Sequence, residues 1–384
     1  MIRIDELKLY VLESVGMLPS FAFAVPAVHV FFLSLGVGMV CLASLFGDEP
    51  RARDSLYFPV AGQEWSTVDP QAVGWDKGGL NVALEYAIQN RSTGVVVLHD
   101  GKIMAERYRE LDRVPAELKQ RLIVRTDERG RAIEDVASCQ KSVVSVLVGM
   151  AKHKQLLELD ASVGTYLGRG WSNASLEQES QIQIRHLLTM TSGLTEQGTF
   201  QAAAGTRWRY NTGMYAKLMD VLSKVTNKDR NQLTREWLTE PLEMSDSDWV
   251  KRKLVGARTT NQYGFATSAR DLARFGLLML ADGNWDGNVL IHDRQYLSES
   301  ITTSQKQNPF YGYLWWLNRN ELEPNGQKPV LAAPRDMFVA KGKGNRRCWV
   351  VPSLGLVVTR LGAPPPDAKI FDQEFWKLLM RAKP

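Results

Sequence analysis

Val136-Ala137-Ser138-Cys139-Gln140-Lys141-Ser142-Val143-Val144-Ser145-Val146-Leu147-Val148-Gly149-Met150 is apolar on nearly every side once Lys141 is passed. That pattern predicts a helix buried inside a domain rather than one lying on its surface. Ser138 and Lys141 open it, three residues apart and so on one helix face, where a hydroxyl and an amine can meet. The free N–H groups of a first turn favour negative charge developing beside them. Burial disfavours the ammonium form. A fall of about 3 from the free lysine value of about 10.4 raises the neutral fraction at pH 7 from roughly 0.04% to roughly 30%. An amine in that state is a usable base.

The remainder of the chain sets the context for this run. Its 384 residues suffice for one large domain or two ordinary ones, and 44% apolar with 23% charged residues is an ordinary globular composition. The net charge of +5 is scattered; its densest runs, Lys251-Arg252-Lys253 and Arg346-Arg347, are too short for a nucleic-acid surface. No nucleic-acid partner is expected. Cys41, Cys139 and Cys348 form neither a disulfide framework nor a zinc site. The five histidines show no ligand spacing, so no metal or other cofactor is implied. Cys139 adjoins Ser138 but has no histidine near it in sequence, and reads as a small packed residue.

Residues 21–46 carry no charge. The stretch exceeds the roughly 20 residues that cross a bilayer and the roughly 7–15 of a cleavable signal core. It predicts a single N-terminal transmembrane anchor, with Arg3 and Lys8 on one side balanced by Arg51 and Arg53 on the other, so that orientation is left open. Residues 1–54 then form the anchor and linker, and residues 55–384 the folded domain.

Within that domain, helical periodicity at 80–88 precedes two strands, 94–98 and 102–108, joined at the tight turn His99-Asp100-Gly101. Three more strands are expected at 337–343, 347–351 and 356–360, followed by an amphipathic helix over about 368–381. Between these ends lie a helix at 182–188 closed by Gly193, a polar loop from Gly205 to Gly213, a helix at 214–226, and a helix opened by a capping box at Ser268-Ala269-Arg270-Asp271. His186 is expected to pack or cap. Tyr311-Gly312-Tyr313-Leu314-Trp315-Trp316 is aromatic enough to line a pocket or to fill a core. The order implies an α+β fold, an α/β/α sandwich. One antiparallel sheet is built from N- and C-terminal strands, helices flank it, and a large helical region is inserted over about 110–325, with a cleft between sheet and insertion.

Four collinear segments carry a resemblance: Ser138-Cys139-Gln140-Lys141; Ile184-Arg185-His186-Leu187-Leu188-Thr189-Met190-Thr191-Ser192-Gly193-Leu194; the loop Gly205 to Gly213; and Thr267-Ser268-Ala269-Arg270-Asp271-Leu272-Ala273-Arg274-Phe275-Gly276. Together they resemble the β-lactamase-related serine hydrolases, which include class C β-lactamases, D-alanyl-D-alanine peptidases, family VIII esterases and 6-aminohexanoate-dimer hydrolase. The resemblance implies that Ser138 is the acylated nucleophile, Lys141 its base, and Tyr210 the tyrosine that shuttles a proton toward the leaving group. Ala340-Lys341-Gly342 falls where the family has Lys-Thr-Gly. That places the oxyanion hole at the backbone N–H of Ser138 and of Lys343, with Lys341 the alternative if the strand slides by two.

Thr212 and Ala340 stand where β-lactamases and peptidases have Asn and Lys or His, which turns the pattern toward the esterase and 6-aminohexanoate-dimer hydrolase branch. The expectation is hydrolysis of a small-molecule ester or amide through an acyl-enzyme, without cofactor, by a domain tethered to a membrane and extracytoplasmic. A β-lactam- or D-alanyl-D-alanine-directed activity is the alternative, and a tethered non-catalytic binding protein the alternative of another class. A Ser-His-Asp hydrolase is disfavoured by the lack of a G-x-S-x-G elbow.

Overall fold

The valine run at 95–97 becomes a strand with every residue buried: β1 (Ser92–His99) turns through Asp100 and Gly101, at φ 47° and 85°, into β2 (Lys102–Tyr108). Two successive positive φ values give a turn whose twist matches that of the flanking strands. In the computed structural model residues 56–60, 62–252, 262–319 and 329–383 are described. The predicted anchor at 21–46 lies outside them; among the described residues no helix is long and apolar enough to cross a membrane.

Before the hairpin comes α1 (Lys77–Gln89), N-capped by Asp76. After it follow α2 (Ala116–Leu122), β3 (Ile123–Thr126), β4 (Ala132–Asp135) and the buried helix α3 (Gln140–His153). Four helices lead on: α4 (Val163–Leu167), α5 (Leu176–Ser180), α6 (Ile184–Leu188) and α7 (Thr212–Thr226). Next are α8 (Arg230–Thr234), β5 (Asp248–Lys251), β6 (Tyr263–Thr267) and α9 (Ala269–Leu280). The chain closes with β7 (Asn284–Trp285), β8 (Asn288–Val289), α10 (Arg294–Ser300), β9 (Trp316–Leu317), β10 (Phe338–Gly342), β11 (Arg346–Val351), β12 (Leu356–Gly362) and α11 (Phe371–Arg381).

The main sheet has the order β2-β1-β12-β11-β10-β9, antiparallel throughout, so the two ends of the domain do close one sheet. Alternation along β11 assigns its faces. Cys348 and Val350 meet α9, where a side chain at Gly276 would stand 2.5 Å from Val357 and 2.8 Å from Cys348, so the helix can lie flush on the sheet only with glycine there. Trp349 on the opposite face packs against Phe375 and Trp376 of α11, with ring centroids 5.5 and 5.9 Å apart. Helices therefore cover both faces.

The inserted region is not helical throughout. It carries a second antiparallel sheet, β3-β4-β6-β5. Its strands are four or five residues long, and only β3 alternates in exposure, so they leave little period-2 trace in the sequence. Three local expectations also change. The helix at 184–188 ends on Thr189, whose N–H bonds back to Arg185 and Leu187, and Gly193 lies in the turn beyond. The capping box at 268–271 is half-made: Ser268 accepts the Asp271 N–H, but the Asp271 carboxylate serves the Asp246 N–H and the Ser247 hydroxyl instead. The helix expected at 214–226 starts two residues earlier, because Asn211 caps it by accepting the Met214 N–H at 3.0 Å.

Candidate active site

Ser138 lies just ahead of α3, in a single 3₁₀ turn over Ala137–Cys139. Ala137 holds φ 50°, a left-handed conformation that costs a non-glycine residue about 1 kcal/mol or more. Its N–H bonds to Asp135 Oδ1 at 2.8 Å, and Arg252 grips the same carboxylate through Nε and Nη2 at 2.6 and 3.0 Å. Arg252 also reaches Gln140 Oε1 at 3.0 Å, an oxygen shared with the Phe265 N–H. An ion pair at the end of β4 thus fixes the turn that presents the serine.

Lys141 Nζ hydrogen-bonds Ser138 Oγ at 3.1 Å, with Thr212 Oγ1 at 3.4 Å. The side chain is 2% exposed, and burial pulls the amine from its usual value near 10.5 down to about 7; Glu196 works against that fall and Arg252 with it. The amine lies over the rings of Tyr215 and Tyr210, 4.2 and 4.8 Å from their centroids. Tyr210 is also hydrogen-bonded to Ser138. Burial raises its phenol well above the ordinary range, and the bond to Ser138 only partly opposes this. The three residues singled out in the sequence therefore converge, with an amine that is half neutral near pH 7 and a phenol that stays protonated.

Several neighbours were not legible. Glu196 accepts the Thr212 N–H at 3.0 Å and acts on Lys141 through its charge, yet Thr195-Glu196-Gln197-Gly198 reads only as a polar turn. Tyr215, buried on α7, hydrogen-bonds Gln140 beneath the lysine. Asn211 ties the loop down by donating from Nδ2 to the Leu194 carbonyl at 2.8 Å. The aromatic segment at 311–316 divides: Trp315 enters the core against Phe275 and Phe338, while Tyr311 and Trp316 gather with Trp208 around Tyr210. Lys341 lies over Trp316, 4.8 Å from the ring centre.

The remaining candidates fall outside this cluster. Cys139 turns away from Ser138 toward the carbonyls of Ala340 and Arg346, at 3.3 and 3.4 Å, and burial pushes its thiol up to about 12. A thiol so placed is a packing residue. His186 Nδ1 accepts the Gln183 N–H at 3.0 Å as a cap, and His99 and Asp100 form the β1–β2 turn.

Strand β10 runs beside the nucleophile turn. A side chain on Gly342 would stand 2.3 Å from the Val136 carbonyl and 3.0 Å from Cys139 Sγ, so the strand closes on the turn only because residue 342 is glycine. On the outer edge of β10, Phe338 and Val339 pair with Leu317 and Trp316, and past Val339 no described strand pairs there. Met337 accepts the Asn318 N–H on that side, and alternation then turns the N–H groups of Lys341 and Lys343 toward the same edge.

Solved structures share this fold. A provisionally named β-lactamase from Bacteroides dorei DSM 17855 matches with a TM-score of 0.60 at 15% identity, over 80% of this chain and 99% of the other. A provisionally named 6-aminohexanoate-dimer hydrolase from Bacillus anthracis matches with a TM-score of 0.58 at 16% identity, over 85% and 87%. EstCE1, a hydrolase with promiscuous acyltransferase activity, matches with a TM-score of 0.59 at 14% identity, over 79% and 98%. At such identities the likeness is one of fold. No curated protein sequence is matched. The Beta-lactamase family model matches residues 83–370, from α1 to the threshold of α11. Since that match spans most of the chain, the protein belongs to the β-lactamase family of serine hydrolase folds.

Proposed function

We propose that this protein is a serine hydrolase that cleaves an ester or amide through an acyl-enzyme. The observation that carries the reading is the Ser138–Lys141 hydrogen bond at 3.1 Å with the amine held near neutrality at pH 7. Neutral Lys141 takes the Ser138 proton as Oγ attacks the carbonyl carbon. Tyr210, protonated and bonded to Ser138, is suited to deliver a proton to the departing oxygen or nitrogen rather than to act as the first base. The Lys141 ammonium passes its proton to the Tyr210 phenolate left behind, and water, activated by the amine so freed, then releases the acid and restores the serine.

The developing oxyanion is assigned to the N–H groups of Ser138 and Lys343. The closeness of Gly342 to the nucleophile turn, and the alternation that turns the Lys343 N–H toward the outer edge of β10, support that assignment. Each such donor is worth roughly 3 to 4 kcal/mol in comparable sites.

An ester or small amide is favoured over a β-lactam or a D-alanyl-D-alanine peptide because Ala340 is uncharged and 1% exposed, offering nothing to a substrate carboxylate at that position. Trp208 and Tyr210, half-buried and backed by the buried Tyr311 and Trp316, offer apolar surface to an acyl or leaving group. We also propose that residues 21–46 tether the domain to a membrane with the site extracytoplasmic; recovery of the full chain in the soluble fraction after cell disruption contradicts the tether.

The test is turnover of short-chain nitrophenyl esters, anilides and a chromogenic β-lactam by the full chain and its Ser138→Ala and Tyr210→Phe variants. Ester or anilide hydrolysis that disappears with Ser138→Ala and drops at least ~100-fold with Tyr210→Phe supports the reading. No turnover of any substrate by the wild-type chain favours a binding role instead.

A further inference from the structure

Three carbonyls at the β10–β11 hairpin are held by the buried Arg346 and Arg347. Arg346 Nη1 donates to the Lys343 carbonyl at 2.8 Å, while its Nε reaches Glu134 at 3.0 Å. Arg347 Nη1 donates to the Gly342 carbonyl at 3.2 Å and to the Arg346 carbonyl at 3.0 Å. Arg347 is itself fixed from α11: Asp372 accepts from its Nε at 3.0 Å and stands 2.9 Å from its Nη2. Asp372 lies in the first turn of α11, where the helix dipole favours a carboxylate, and it also accepts from Asn345 Nδ2 at 3.3 Å.

The Gly342 carbonyl and the Lys343 N–H belong to one peptide unit. The unit is planar and trans, so a donor that pins the carbonyl on one side fixes the N–H on the other. Here the pinned side faces β11, and the opposite side is the outer edge of β10, past the described pairing at Val339, on a strand that meets the nucleophile turn at Gly342. A cationic donor on the carbonyl also polarises the unit and strengthens its N–H as a donor.

We propose that Arg347, held by Asp372, is a positioning residue of the oxyanion hole: by binding the Gly342 carbonyl it aims and polarises the Lys343 N–H at the tetrahedral intermediate. The inference rests on the acyl-enzyme reading above. Arg347 touches no substrate. Its contribution appears only as negative charge builds on the substrate oxygen, so it enters kcat and the affinity for tetrahedral adducts rather than KM.

The test compares wild type, Ser138→Ala, Arg347→Met and Arg347→Lys in the full chain. The readouts are kcat and KM on a nitrophenyl ester, the inhibition constant of phenylboronic acid, which forms a tetrahedral adduct on the serine, and the thermal midpoint. Arg347→Met is expected to lower kcat about 10-fold and weaken the boronate by a similar factor, with KM within about twofold. Arg347→Lys, whose single ammonium cannot serve Asp372 and both carbonyls together, is expected to lose about 3- to 10-fold in the same two quantities. It carries the test alone should Arg347→Met not fold. A clip that only fastens α11 to the hairpin lowers the midpoint and leaves boronate affinity unchanged, and that result overturns the proposal, as does a loss of kcat without loss of boronate affinity. Inactive Ser138→Ala beside Arg347 variants of wild-type kcat removes this inference alone. Full activity in Ser138→Ala removes the acyl-enzyme reading and this inference with it.

Discussion

Lys141→Met is predicted to make the protein inactive and more stable. The amine is 2% exposed and falls from an ordinary 10.5 to about 7 on folding, mainly through burial. Such a fall means that folding of the protonated form is penalised. Between about pH 7 and 10.5 the unfolded chain binds the extra proton, so stability rises with pH there and the penalty is complete below about pH 7. At about 1.36 kcal/mol per pH unit of separation, the penalty is about 5 kcal/mol at pH 6 and about 2 kcal/mol at pH 9. Methionine has a similar length and no charge to desolvate, while loss of the bond to Ser138 gives back about 1 kcal/mol. The contacts with the Tyr210 and Tyr215 rings favour the ammonium and reduce the gain further. A net gain of about 2 to 3 kcal/mol at pH 6 is therefore expected, shrinking toward zero or below by pH 9. Urea denaturation of both proteins at the two pH values, followed by tryptophan fluorescence, measures it. Equal stability at pH 6, or a difference that does not change with pH, refutes the claim that this lysine is held neutral by burial.

The same amine sets the pH profile: if neutral Lys141 is the base, kcat/KM climbs about 5- to 10-fold from pH 6 to pH 8 and then levels, whereas an unperturbed lysine predicts a roughly 100-fold climb over that interval. Glu196→Gln, which keeps the acceptor for the Thr212 N–H but removes the charge that raises the lysine, shifts the inflection to lower pH. Gly342→Ala forces a methyl to within 2.3 Å of the Val136 carbonyl and parts β10 from the nucleophile turn; a fall of at least about 10-fold in kcat and a cost of about 1 to 3 kcal/mol by denaturation are expected. Cys139→Ala leaves turnover within about threefold and costs roughly 1 kcal/mol in stability, whereas loss of acylation would restore the thiol as a nucleophile.

What could be read in advance followed from how locally each feature is encoded. Ser138 and Lys141 are neighbours on one turn, so their meeting follows from spacing alone; Tyr210 came from the family's motif, since nothing local ties it to a residue more than a turn away. Five of the six strands of the main sheet are legible, β1 and β12 most plainly because they are buried on both faces and read as apolar runs, whereas β9, two residues long, is not. The β3–β6 sheet gave no such trace: Ala132–Asp135 has three buried residues in a row ending in a partly exposed aspartate, a pattern too short to assign. The electrostatic partners were the least legible. Glu196, Arg252 and Asp135 act on the turn or on Lys141 from loops and strand ends, and their effect depends on packing across elements rather than on any period along the chain. Arg346-Arg347 reads in the sequence only as a short basic run, yet the structure buries both arginines on hairpin carbonyls.

The central claim is that one serine becomes acylated. The direct measurement treats wild type and Ser138→Ala with a fluorophosphonate, digests both and maps the adduct by mass spectrometry. The account predicts a single adduct on the Ser138 peptide of wild type and none in the variant; an adduct on another residue, or equal labelling of the two proteins, contradicts it.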